Sequence, residues 1–140
     1  MATNTKAPDH IEFAGDYDCK NIFLHDHTGE KVDILQVTDE LNIYESIYKS
    51  ALTGSIVITD AQNLISKLEI QGMERLSFVI RTPGATDDRD IVNASEISGH
   101  PFHIYKITNR VQIAPGTLRY VLQFGSGEFM RNRRTKVSQA

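Results

Sequence analysis

Short stretches in which apolar and polar residues alternate recur between residues 19 and 125, and this period of two predicts β-strands. The clearest stretch spans residues 53–59, where β-branched residues dominate. Residues 102–113 alternate with an interruption typical of a bulge, and residues 118–124 alternate again after a turn at 114–116. The last two stretches therefore form a predicted β-hairpin.

Further strands are predicted earlier in the chain. Residues 21–25 and 31–37 flank a glycine-containing turn and form another predicted hairpin. Residues 40–48 fit either a strand or a helix; their aromatic and β-branched residues favour a strand, and the break near Ile47 indicates an end or a bulge. Residues 75–82 form one more predicted strand, which a Pro-Gly pair ends.

One short helix is predicted beside these strands. Asp60 is a suitable N-cap for residues 61–67, whose apolar side chains fall on one side. About seven short strands and one helix predict a mainly β fold, an antiparallel β-barrel or sandwich with one short flanking α-helix. The chain divides into a flexible N-terminal arm at 1–18, a β domain at 19–125 and a basic C-terminal segment at 126–140 with the pattern of a helix start.

The composition fits a single folded domain and excludes several classes of protein. The 140 residues are 40% hydrophobic and 24% charged, which supplies one core and is too apolar for a disordered chain. A net charge of −3 gives no overall attraction to nucleic acid or to anionic membranes, and no apolar run approaches the ~20 residues of a membrane helix. With Cys19 as its only cysteine, the chain forms no internal disulfide, which fits a reducing cytoplasm. We therefore expect neither a membrane partner nor a sequence-specific nucleic-acid partner.

Two close pairs of histidines raise the question of a metal site. His25 and His27 would share one face of a strand, as two metal ligands do, and His100 and His103 form a second pair. The spacing designates no third ligand, so surface or turn histidines are favoured over a metal site.

No grouping of catalytic residues emerges either. Asp87, Asp88 and Asp90 lack the spacing of a calcium loop and fit a solvated acidic loop. Ser126 lies between two glycines without the pattern of a nucleophile elbow, and Cys19 has no designated base. We therefore expect no enzymatic activity and no cofactor or metal ion.

A basic cluster lies near the C-terminus and consists of Arg131, Arg133, Arg134 and Lys136. Binding of phosphate groups is one interpretation. A solvated helix face or a contact with an acidic neighbouring subunit is favoured, because interleaved aromatic residues and a wider basic surface are lacking.

A longer pattern of structural residues resembles a known family. Residues 43–48 place an acidic–Ser–Ile strand before the Gly–Ser–Ile–Val–Ile–x–Asp strand at 54–60. An Asn–Leu–Ile helix at 63–65 and an Ile–x–Gly–x–Glu turn at 70–74 follow, and residues 105–138 carry the closing pattern. These features resemble the N-terminal tube-like domain of baseplate hub proteins from contractile-tailed phages, especially cyanobacterial myoviruses.

The resemblance covers most of residues 20–138 and implies a structural role. Such domains have the tail-tube fold, an antiparallel β-barrel with a flanking helix, and form a ring that joins the tail tube to the central spike. The resemblance thus implies a trimeric or hexameric homo-oligomer in the phage virion, assembled in the host cytoplasm, with tube and spike proteins as partners. Hub chains usually continue where this chain ends, so a tube-initiator protein with one barrel is an alternative.

Residues that face partners are expected where apolar side chains lie beside charged ones, because a ring subunit covers its strand edges with its neighbours. We expect the following residues at subunit interfaces: Tyr44, Tyr48, Phe129 and Met130, with Arg131, Arg133 and Arg134 as rim charges. A function of another class, a small β-barrel that binds a ligand, is disfavoured because the chain has no Trp and is only 8% aromatic.

Overall fold

An antiparallel sheet of eight strands dominates the fold in a computed structural model that describes residues 13–72, 74–85, 91–95, 97 and 99–135. The strands are β1 (Asp18–His25), β2 (Lys31–Asp33), β3 (Thr38–Tyr44), β4 (Thr53–Asp60), β5 (Arg75–Arg81), β6 (Ile91–Asn93), β7 (Phe102–Ala114) and β8 (Thr117–Gly125). The helices are α1 (Leu64–Lys67) and α2 (Gly127–Arg134), and a short 3₁₀ helix (Leu35–Val37) links β2 to β3. The prediction of a mainly antiparallel β fold with a flanking helix is confirmed.

The strand order explains where the sheet is open. The strands pair in the order β2-β1-β5-β7-β8-β4-β3, and β6 pairs with β5 outside this path. β2 and β3 stand at the two ends of the order, and no pairing joins them within the described ranges. The sheet nevertheless curls until residues of β1 and β3 line the same cavity. We call the opening between β1 and β3 the seam; because the described residues give no pairing across it, closure of the sheet into a barrel is not shown.

The core lies inside the curl and follows the alternation that the sequence predicts. The buried apolar side chains of the strands are Ile22, Leu24, Ile56, Ile58, Leu76, Phe78, Phe102, Ile104, Tyr120, Leu122 and Phe124. The ring centroids of Phe102 and Phe124 lie 5.0 Å apart, and those of Phe78 and Phe102 lie 5.5 Å apart. Strands β5, β7 and β8 are therefore joined by packed aromatic rings as well as by hydrogen bonds.

The helix predicted at residues 61–67 begins later than expected, and Asp60 does not act as its N-cap. Asp60 is the last residue of β4, and α1 begins at Leu64 after Asn63, whose φ of 58° lies in the left-handed region. The Asp60 carboxylate accepts hydrogen bonds from the backbone N–H groups of Gln62 and Leu64, at 2.8 and 2.7 Å. The carboxylate thus organises a turn between strand and helix, and the turn delays the first helical residue.

Both predicted hairpins are present, with one correction. β1 and β2 pair around the glycine-containing turn, but residues 35–37 form the 3₁₀ helix instead of a longer strand. The reason is that Ile34 turns into the core and its N–H donates to the carbonyl of Ile22, at 2.8 Å. In the second hairpin, β7 pairs with β8 and the register shifts between Thr108 and Val111, where a bulge is predicted.

Residues 40–44 of the ambiguous segment 40–48 lie in a strand and residues 45–48 form a loop, so the helical alternative is wrong. β3 starts at Thr38 and ends at Tyr44, shortly before the break in alternation near Ile47. The short strand β6 has no counterpart in the sequence prediction. The predicted acidic loop with Asp87, Asp88 and Asp90, most of the N-terminal arm and Lys136 lie outside the described residues.

The buried phenol of Tyr120 predicts a loss of stability at alkaline pH. Burial and the adjacent Asp60 carboxylate raise the pKa of Tyr120 well above its ordinary value of about 10. The unfolded chain therefore loses this proton first, and the free energy of unfolding falls as the pH rises above about 10. Relative to Tyr120→Phe, we expect wild-type protein to lose roughly 1 kcal/mol more between about pH 9.5 and 11.5 in urea denaturation. Parallel pH profiles of the two proteins would contradict this assignment.

Candidate assembly surface

The two ends of the sheet carry different structures. At one end, a single row of paired residues crosses seven strands: Lys31, His25, Arg75, His103, Gly125, Thr53 and Tyr44. We call this the helix end, because α2 follows β8 there. The other end carries the turn between β7 and β8, and we call it the hairpin end.

The loop after β3 exposes two adjacent large side chains at the helix end. Ile47 is 92% exposed and Tyr48 is 91% exposed; we call them the exposed pair. The nearby Tyr44 is 55% exposed, and its hydroxyl lies 3.4 Å from that of Ser55. Large apolar side chains held together in water are typical of a contact with another protein. Two of the predicted interface residues, Tyr44 and Tyr48, thus lie on one exposed surface, beside an Ile47 that the interface prediction leaves out.

α2 packs against the sheet through some of the residues predicted to face partners. The ring centroid of Phe129 lies 4.9 Å from that of Tyr105, and the Arg133 guanidinium lies 5.1 Å from the Tyr105 ring. Phe129 can approach because Gly125 has no side chain; a Cβ at this position would overlap the Phe129 ring. Phe129 and Arg133 therefore hold α2 within the subunit, and their predicted contact with a partner stays a prediction.

The remaining predicted residues of α2 are more available to a neighbour. Arg131 and Arg134 are exposed, and Met130 is half-buried. The N–H of Ser126, just before α2, donates to the carbonyl of Leu52 at 2.9 Å. The basic helix and the loop with the exposed pair are therefore linked at the helix end by this hydrogen bond.

The tip of the β7–β8 hairpin extends beyond the rest of the sheet. β4 ends at Asp60, which pairs with Leu118, and β7 pairs with β5 only at Phe102 and His103, so the later residues of β7 have a paired strand on the β8 side alone within the described ranges. All of residues 109–116 are exposed, with Val111 at 57% and Ile113 at 53%; we call this segment the hairpin arm. A strand edge without a partner is suited to contact a further surface, and this edge of the arm carries exposed apolar side chains. Alternation predicts a strand here but does not reveal its exposure.

The seam contains a cavity of about 280 Å³ at the hairpin end. Its lining combines apolar and acidic side chains: Tyr17, Cys19, Ile22, Leu35, Thr38, Asp39, Glu40, Leu41 and Ile80. The cavity lies at the edge of β3 that does not face β4, and no strand pairs with that edge within the described ranges. An open strand edge beside an apolar cavity is a place where another chain can add contacts.

Cys19 in this cavity is not arranged as a nucleophile. Burial, and after it the nearby Asp18 carboxylate, raise the pKa of the Cys19 thiol above its ordinary value. The thiol is therefore protonated at neutral pH and poorly reactive. Cys19 instead lines the wall of the seam cavity.

The histidines occupy separate structural positions. His25 is buried, and its Nε2 lies 2.7 Å from the Ser77 hydroxyl, while His27 is exposed in the turn after β1. His100 is exposed before β7, and His103 is paired with Arg75. Within the described ranges, no three His, Cys, Asp or Glu residues are grouped so as to hold a metal ion.

A second cavity, also of about 280 Å³, lies against β1 and β5. Its lining is Asp18, Lys20, Asn21, Phe23, Ser77, Phe78, Val79, Arg81 and Ser95. Pockets for small ligands usually measure about 300–1,000 Å³, so both cavities lie at the small end of this range. The two cavities are therefore better suited to a contact with another protein than to binding a small molecule.

No protein-family model matches the chain, and no curated protein matches it. In the part of the chain that the structure describes, none of the helices has the length and apolar character needed to span a bilayer.

Proposed function

We propose that this chain is a non-catalytic structural subunit of a contractile phage tail, which assembles into a ring of the baseplate hub between the tail tube and the central spike. The observation that carries the proposal is the exposed pair, Ile47 and Tyr48, beside the open edge of β3. Closed rings cover such edges and apolar side chains with identical neighbours. The resemblance of residues 43–74 and 105–138 to hub proteins supplies the biological setting.

The arrangement within the subunit supports this role over catalysis. Several buried polar side chains already serve the fold: Asp60 organises the turn before α1, and Glu74 accepts hydrogen bonds from the N–H groups of Gln71 and Gly72. Exposed apolar side chains instead lie at both ends of the sheet, where neighbouring subunits would meet. A one-barrel tube initiator has the same requirements and differs in the symmetry of its ring, which class averages of ring images distinguish.

Replacing the exposed pair by serines tests the proposal. We expect Ile47→Ser/Tyr48→Ser to abolish rings that wild-type protein forms in negative-stain images and to give monomers in sedimentation velocity. At concentrations too low for wild type to assemble, the two thermal midpoints should match, because side chains in water contribute within about ±0.5 kcal/mol to the stability of the monomer. Ile97→Ser is the matched control, since Ile97 is 99% exposed on a different loop and should leave the rings intact.

One experimental result would contradict the proposed role as a ring subunit. If the wild-type chain stays a compact monomer at high concentration, and also when mixed with tail-tube and spike proteins, it is not a ring subunit. Equal loss of rings in Ile97→Ser would instead contradict the specific role of the exposed pair.

A further inference from the structure

The net charge of −3 conceals a strong asymmetry along the chain. Residues 13–48 contain eight acidic and two basic side chains, whereas residues 99–135 contain one acidic and six basic side chains. The first segment comprises β1, β2 and β3, and the second comprises β7, β8 and α2. Such an uneven distribution has a physical consequence only if the fold separates the two segments in space.

The strand order separates them. β2, β1 and β3 occupy the two ends of the order and flank the seam, while β7 and β8 lie in the middle. β5 stands between β7 and β1, and β4 stands between β8 and β3. α2 packs on β7 and β8 through Tyr105 and Gly125. The acidic segment therefore lies on the strands that flank the seam and the basic segment on strands in the middle of the order, with Arg119 of β8 reaching across β4 to Asp39 of β3.

The seam cavity and the hairpin arm both present apolar surface, and they lie at the same height along the direction of the strands. At the hairpin end, the seam cavity has an apolar floor and carries Asp39 and Glu40 at β3, while the arm carries Val111 and Ile113 next to Arg110. Val111 of the arm and Asp39 of the cavity lie at the same height, because Val111 pairs with Arg119 and the Arg119 Nε lies 3.6 Å from the Asp39 carboxylate of the same chain. A rotation about an axis along the strands would thus bring the arm of one copy to the seam of another.

The geometry points to head-to-tail association of identical copies, in which the hairpin arm of one copy occupies the seam cavity of the next. Val111 and Ile113 cover the apolar floor of the cavity, and Arg110 lies against the carboxylates of Asp39 and Glu40. At the helix end, the same rotation brings the exposed Arg131 and Arg134 near Glu45 and the exposed pair. The contact joins two different surfaces, so it leaves a free arm and a free seam at the two ends of every open assembly.

This inference rests on the proposed function only for the closure of the assembly into a ring. Opposite charges attract copies over about 10 Å at 0.1 M salt, and apolar burial then holds them. A contact of this kind weakens as the salt concentration rises.

A cross-link between the two surfaces provides the decisive test. The native chain has one cysteine, so oxidation of wild-type protein yields at most a dimer. Because Cys19 lines the seam cavity, Ile113→Cys places a second thiol on the arm that would enter it. We expect oxidation at alkaline pH, where more of the Cys19 thiol is ionised than at neutral pH, to give trimers and longer ladders on a non-reducing gel.

Two controls separate the proposed contact from random collisions. Lys49→Cys puts a thiol on an exposed position at the helix end, and Ile113→Cys/Cys19→Ser removes the partner thiol; neither should exceed the dimer. Charge reversal gives independent evidence: Arg110→Glu and Glu40→Arg should each weaken association about tenfold in sedimentation velocity, and the combined variant should recover most of it. Lys67→Glu is the control for reversal of an exposed charge elsewhere.

Each outcome decides a different point. Ladders that stop at dimers, or that Lys49→Cys reproduces, overturn the arm-to-seam contact. Rings in negative stain without such ladders overturn the contact but leave the proposed function standing. Ladders without rings support the contact and count against the proposed function. A wild-type chain that sediments as a monomer at high concentration overturns the contact, and it contradicts the proposed function as well if it stays a monomer with tail-tube and spike proteins.

Discussion

The substitution Gly54→Ala is expected to destabilise the protein by about 3 kcal/mol, at the upper end of the range for added bulk in a packed core. Gly54 is buried in β4, where it pairs with Ile43 of β3 and Phe124 of β8. A Cβ at this position would overlap the carbonyl oxygen of Asn42 and the ring of Phe124. The first of these atoms belongs to the backbone of β3, so the overlap is relieved only if a whole strand shifts.

The second overlap is equally hard to relieve. Phe124 is fully buried and packs on Phe102 and Phe78, so its ring cannot rotate away without disturbing both neighbours. Since domains of this size are stable by about 5–15 kcal/mol in total, urea denaturation followed by circular dichroism should detect the loss readily. Gly54→Val, with two more methyl groups, should reduce the folded fraction further.

Gly127→Ala is the matched control for this prediction. Gly127 begins α2, and a Cβ added there would meet a guanidinium nitrogen of Arg131 at 4.0 Å, which is an ordinary van der Waals contact. Alanine is favoured over glycine in a helix by up to about 1 kcal/mol, so this variant should be as stable as wild type or more stable. If Gly54→Ala stayed within about 0.5 kcal/mol of wild type, the size of an ordinary surface effect, the close approach of β3 to β4 would be wrong.

The alternation of the sequence predicts most strands correctly because one face of each strand is buried. Residues 56–58 and 120–124 place isoleucine, tyrosine, leucine and phenylalanine at alternate positions, and these side chains form part of the core in the structure. Gly54 interrupts that pattern, and a glycine inside a strand is a known sign of close backbone approach. Which atoms approach it follows only from the pairing of β4 with both neighbours, which one sequence does not specify.

The features that sequence patterns miss depend on contacts between distant segments. Phe129 looks like an exposed residue of a basic tail, but the absence of a side chain at Gly125 lets its ring pack on Tyr105; Arg133 remains exposed and lies over the same Tyr105 ring. The exposure of Val111 follows from the short pairing of β7 with β5, which is limited to Phe102 and His103 within the described ranges, and not from the alternation of β7 itself. The uneven distribution of charge is present in the sequence. Where the acidic and basic segments lie in space follows only from the strand order.

Removal of the Asp60 carboxylate by Asp60→Ala is expected to cost about 3 kcal/mol, because buried donors would lose their charged acceptor. Asp60 is 1% exposed and accepts hydrogen bonds from the backbone N–H groups of Gln62 and Leu64 and from the Tyr120 hydroxyl. Asp39→Ala is the matched control, since Asp39 is an exposed carboxylate that contacts Thr59 and Arg119. Exposed pairs of this kind contribute about 0–1 kcal/mol, so the control should remain close to wild type.

A double-mutant cycle with Tyr120→Phe separates the contributions at this site. The Tyr120 hydroxyl lies 3.2 Å from the Asp60 carboxylate, so its removal alone should cost about 1 kcal/mol. Once Asp60 is alanine, the hydroxyl has lost this acceptor, and Tyr120→Phe should then be neutral or slightly stabilising. If the two substitutions were additive in urea denaturation, the hydroxyl and the carboxylate would not be coupled. The site matters beyond the core, because Asp60 pairs with Leu118 at the base of the hairpin arm and thereby joins α1, β4 and β8 where the arm leaves the sheet.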